Sequence, residues 1–89
     1  MRTIHKKILK LAEYQEIEIV GLEKILKISE QNGEICVWYI IQTENELSQN
    51  VGIDIYGTGF DLKSYTKNYF DTLITSNGLV WHIFINLNK

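Results

Sequence analysis

The sequence predicts an all-β protein, a small antiparallel barrel or sandwich of about five to seven short strands joined by hairpins. Three observations predict it. Two Asn-Gly pairs, Asn32-Gly33 and Asn77-Gly78, are each flanked by apolar runs. Asn-Gly favours tight hairpin turns because both residues tolerate positive φ. Several segments alternate apolar and polar residues with a period of two, and those segments are rich in β-branched and aromatic side chains.

The elements follow in order. Thr3 to Ala12 is ambiguous by period, since Ile4, Ile8 and Leu11 keep helical spacing; the β context downstream favours a strand. Glu16-Ile17-Glu18-Ile19-Val20 alternates cleanly, as a half-buried strand does, and Gly21 interrupts it. Lys24 to Glu30 then leads into the turn at Asn32-Gly33. Ile35-Cys36-Val37-Trp38-Tyr39-Ile40-Ile41 is apolar on both faces and reads as a central strand. The polar stretch Gln42 to Asn50 reads as a loop. In Val51 to Tyr56, the side chains of Val51, Ile53 and Ile55 share one face and Asp54 and Tyr56 the other. Gly52 within it suggests a bulge or a close backbone approach.

Phe60 to Lys67 has no clean period and reads as a loop or one helical turn. Tyr69 to Thr75 then pairs, across Ser76-Asn77-Gly78, with Leu79 to Leu87. In that last strand Leu79, Trp81, Ile83, Ile85 and Leu87 face one way, and Val80, His82, Phe84 and Asn86 the other. With hairpins in succession, up-and-down neighbours are the expected pairing. No repeat or linker interrupts residues 1–89, which are expected to form a single β domain.

Composition narrows the function classes. A chain of 89 residues with 45% apolar content, two Trp, five Tyr and three Phe is globular rather than disordered. Its one cysteine, Cys36, allows no disulfide within the chain, which fits a reducing compartment and a buried thiol. No signal-peptide core and no membrane-spanning apolar stretch is visible, so the expectation is a cytoplasmic protein with no membrane partner. A net charge of −2 argues against DNA or RNA as a partner. Lysines do cluster, at Lys6, Lys7 and Lys10 and around the tyrosine-rich segment at Lys63 and Lys67.

No catalytic or metal motif is assembled along the chain. Neither His5 nor His82 has a His, Cys or carboxylate at metal-ligand spacing, so no metal and no cofactor is expected. Gly57-Thr58-Gly59 could offer backbone N–H groups to an anion, but it lacks the spacing of a nucleotide fingerprint; a tight turn requiring positive φ is the favoured explanation. His82, between Trp81 and Ile83, is either a satisfied, partly buried histidine or a hydrogen-bonding group in a pocket. Aromatic density says more. Trp38 and Tyr39 point to opposite faces, as do Tyr69 and Phe70, and a thin sheet cannot bury both faces. The expectation is a ligand pocket or a homo-oligomer.

The elements around Trp38, Tyr56-Gly57-Thr58-Gly59 and Leu79-Val80-Trp81-His82-Ile83-Phe84 resemble a family of small bacteriophage proteins known as a domain of unknown function. The resemblance spans nearly the whole chain. It departs at Gln42-Thr43-Glu44-Asn45-Glu46, where family members carry a more acidic loop with a proline. It implies a phage product acting in the host cytoplasm, but no reaction and no site residues.

The expected function is therefore non-enzymatic: sequestration of a nucleotide-derived host immune signal in an aromatic, inter-subunit pocket. Trp81 or Tyr56 would stack a base, Gly57, Thr58 and Gly59 would offer donors, His82 a hydrogen bond, and Lys63 a charge for phosphate, with Trp38 a further ligand-binding candidate. The alternatives are an inhibitor of a host enzyme, whose partner is a host protein, and a small virion or morphogenesis component.

Overall fold

A computed structural model describes residues 1–88. Seven strands run in chain order: β1 (Arg2–Ile8), β2 (Tyr14–Val20), β3 (Leu22–Gln31), β4 (Glu34–Gln42), β5 (Ser48–Gly57), β6 (Tyr69–Ile74) and β7 (Val80–Asn88). They form two antiparallel sheets, one of three strands in the order β1-β4-β3 and one of four in the order β2-β5-β7-β6. The sheets do not close into a barrel, and the described residues contain no helix.

Both Asn-Gly pairs make hairpins, but by different turns. Asn32 and Gly33 both have positive φ, 53° and 81°, and Gln31 faces Glu34, which defines a two-residue type I′ turn between β3 and β4. At the second pair only Gly78 has positive φ, 85°, and its N–H donates to Thr75 O at 2.9 Å. Ser76 and Asn77 thus form a type I turn followed by a left-handed glycine.

The other neighbours are not those expected. Up-and-down pairing is overturned, since β1 pairs with β4, β2 with β5 and β5 with β7. The connections after β1, β2 and β4 each carry the chain from one sheet to the other. An amphipathic strand gains more by facing a second sheet than by lying beside its sequence neighbour. Nor is there a bulge at Gly52, where the register runs unbroken toward both β2 and β7. The register shifts lie in β3, at Leu22/Lys24 and Ile25/Lys27, and in β6, at Tyr69/Asp71.

The core lies between the sheets. Alternation places Ile35, Val37 and Tyr39 of β4 against Val51, Ile53 and Ile55 of β5, with Ile28, Ile19, Leu73 and Ile83 around them, all buried. Glu30 ties the layers at one end: its carboxylate accepts from Ser76 N–H at 2.7 Å and from the Ser76 hydroxyl at 3.2 Å. Cys36 and Trp38 face outward from β4, yet Cys36 is buried and Trp38 half-buried.

One connection decides where a site can form. Strands β5 and β6 both run antiparallel to β7 and lie on either side of it, so they are parallel to each other. The eleven residues from Thr58 to Asn68 must return the chain along the sheet to reach the start of β6. They cross its outer face as a strap. The Tyr56 hydroxyl and Thr66 Oγ1 hold it down at 3.1 Å. Asp54 and Tyr56, on the face that alternation assigns to solvent, are consequently buried.

Candidate functional site

Beside the strap, the outer face of the four-stranded sheet carries an aromatic groove of about 340 Å³. Strand register builds its floor. Tyr56 lies opposite His82, and His82 opposite Thr72; Tyr69 lies opposite Phe84 one row on. Directly opposed residues share a face, so hydroxyls, an imidazole and rings converge. Phe84 meets Tyr56 edge-on at 6.1 Å and Tyr69 at 5.7 Å. Phe60 and Leu62, from the strap, complete the walls.

The turn at the groove's end follows from its glycines. Phe60 N–H donates to Gly57 O at 3.1 Å, and Gly59 has φ of 91°. A four-residue turn with positive φ at its third position is type II, which favours glycine there. A Cβ on Gly57 would stand 3.0 Å from the Phe60 ring, so this glycine admits the ring.

Polar contacts run in one line across the groove. Tyr69 OH and Thr72 Oγ1 lie 2.6 Å apart, Thr72 Oγ1 and His82 Nδ1 3.0 Å, and His82 Nε2 and Thr58 Oγ1 2.8 Å. Both imidazole nitrogens therefore meet hydroxyls, which can donate or accept. The connectivity is that of a nucleophile, a base and an orienting group. The orienting group is a neutral hydroxyl, however, which stabilises an imidazolium far less than a carboxylate does. What the line does directly is fix the His82 ring and the Thr58 turn. Thr72→Val, nearly isosteric, should lower stability by about 1 kcal/mol in a urea titration, because it leaves Nδ1 and the Tyr69 hydroxyl without their shared partner.

Of the residues singled out in the sequence, Tyr56, Gly57, Thr58, Gly59 and His82 line this one groove. Three others lie elsewhere. Trp81 faces the opposite side of β7, in register with Gly57 and Leu73, and meets Phe60 edge-on at 6.3 Å from behind the groove. Trp38 belongs to the middle strand of the other sheet and points away from the core. Lys63 is an exposed residue of the strap and is not part of the groove's wall. Sequence reasoning passed over Tyr69, Thr72 and Phe84 as site residues. Phe84 was available from its spacing of two from His82; Thr72 required the hairpin register.

Among the described residues no three His, Cys, Asp or Glu side chains gather where they could hold a metal ion. The fold and groove together define a class: a two-sheet β domain with a strap-bordered aromatic recess on one outer face. Residues 1–89 match the family model described as a domain of unknown function, DUF7352, and the chain belongs to that family. No curated protein and no solved structure matches it.

Proposed function

We propose that this domain is a non-enzymatic, phage-encoded counter-defence protein that acts in the host cytoplasm by sequestering a nucleotide-derived immune signal in the aromatic groove. The observation that carries the reading is the exposed ring of Tyr69, 59% accessible, beside the anchored Thr58–His82 pair. A ring left open to water next to fixed polar groups suits a planar, hydrogen-bonding ligand, since every base has a face to stack. Lys63, exposed on the strap, supplies positive charge for phosphate.

Isothermal titration against cyclic dinucleotides and cyclic ADP-ribose derivatives tests it. Saturable heat is expected for at least one compound, and Tyr69→Ala should weaken binding about tenfold to a hundredfold, the effect of losing one stacking partner. Baseline heat for the whole set would remove the reading.

A second reading draws on the other sheet. Ile4 and Ile8, 59% and 54% exposed, sit on the outer face of β1 beside half-buried Trp38 and Ile40. Such a patch suits a second copy of the chain or a host protein as partner. Light scattering at micromolar concentration separates the two: a dimer supports self-association, and a monomer that captures one stoichiometric host protein supports inhibition.

A further inference from the structure

A second recess lies further along the same outer face, under the far end of the strap. It measures about 620 Å³, in the range of small-molecule sites and far larger than one ion requires. Its floor is Asp54, 1% exposed, and neither carboxylate oxygen has a hydrogen-bond partner among the described residues. Buried polar groups are almost always satisfied, so two orphaned acceptors on one side chain need an explanation. Burial without a partner pushes the Asp54 carboxyl above its ordinary value.

The surroundings define what would satisfy it. Tyr14 faces Asp54 from β2, and Tyr65 reaches the recess from the strap, so two rings wall it. Asn68 donates to Asn86 Oδ1 and holds the strap's end against β7. Lys67 lines the same recess and makes no ion pair among the described residues. An anion and a cation thus border one cavity without meeting.

We propose that this recess is a second ligand site, in which displacement of the strap side chains lying over Asp54 lets its carboxylate receive a planar group presenting two adjacent N–H donors, while Lys67 receives an anionic group on the same molecule. Two parallel donors match the two oxygens of a carboxylate, and flanking rings select a flat donor group. A guanidinium joined to a carboxylate and a guanine base joined to a phosphate share this chemistry. The inference does not rest on the groove reading, since the two recesses use different residues.

Titration with arginine and with guanosine monophosphate distinguishes the sources. One of them should bind saturably. Agmatine, which lacks the anion, and adenosine monophosphate, which lacks the donor pair, should bind at least about tenfold more weakly. Asp54→Asn should weaken the productive ligand about tenfold to a hundredfold while the variant stays folded by circular dichroism. No binding by either probe overturns the proposal, even if cyclic dinucleotides fill the groove. Binding of guanosine monophosphate that survives Asp54→Asn overturns it as well, and assigns that nucleotide to the groove.

Discussion

Replacing Gly21 by alanine should remove about 3–5 kcal/mol of stability, most of what a domain of this size possesses. Gly21 is the single residue between β2 and β3, where the chain passes from one sheet to the other. Its φ is 75°, a conformation that costs an L-residue roughly 1–2 kcal/mol. The larger problem is space. A Cβ there would lie 2.5 Å from Gln42 O and 2.9 Å from Asn45 O, both main-chain atoms that cannot rotate away. The same junction is held by Gly21 N–H to Leu47 O and Gln42 N–H to Gly21 O, each 2.8 Å. Relieving the clash therefore breaks hydrogen bonds that anchor the junction to a neighbouring segment in each sheet. Thermal unfolding checks it: the midpoint should fall by about 15 °C or more. Gly33→Ala is the control, because that glycine has φ of 81° and nothing within 4 Å. It should lose only the conformational cost. Equal losses at both sites would mean that the junction is not closed in this way.

Asp54→Asn should do the reverse and stabilise the ligand-free protein at neutral pH, by about 1–3 kcal/mol. The substitution keeps the shape and leaves the amide as unpartnered as the carboxylate, so the difference is charge. Among the described residues, Lys67 on the strap is the cation bordering the recess, Tyr14 of β2 and Tyr65 of the strap are the other titratable side chains there, and neighbouring Phe84 and Asn86 of β7 carry no charge. The sign follows from the raised carboxyl. Between the unfolded value, about 3.9, and the higher folded value, the folded protein keeps a proton that the unfolded chain has released. Wild-type stability must therefore fall as pH rises through that window and stay lower above it. Below the unfolded value the carboxyl is protonated in both states and the advantage of Asn disappears. Urea titrations of both proteins from pH 3 to pH 8 measure the difference directly. Parallel curves across the range would show that the charge is already compensated.

Much of the site was legible in the chain because strand alternation is local physics. The spacing of two that groups His82 with Phe84 also groups Asp54 with Tyr56, and both pairs share faces as expected. The same rule separates Trp81 from His82, so those two neighbours could never line one groove. Gly57-Thr58-Gly59 announced a turn with positive φ, and Gly59 has it. What Thr58 would touch was not legible, since His82 lies in a strand that the sequence does not place beside β5.

The amino-acid order by itself determined the alternating strands, their buried sides and the two hairpins closed by Asn-Gly, because each depends on residues a few positions apart. β1 was ambiguous by period, and polar Gln42 and Ser48 to Asn50, read as loop, belong to β4 and β5. Strand order came from elsewhere. Three strands that look like hairpin partners instead divide between two layers, where their apolar sides cover one another. That division placed β6 beyond β7 and sent the chain back across an outer face. Only this return buried a carboxylate that alternation had assigned to water, for burial is set by what lies overhead and not by the strand itself.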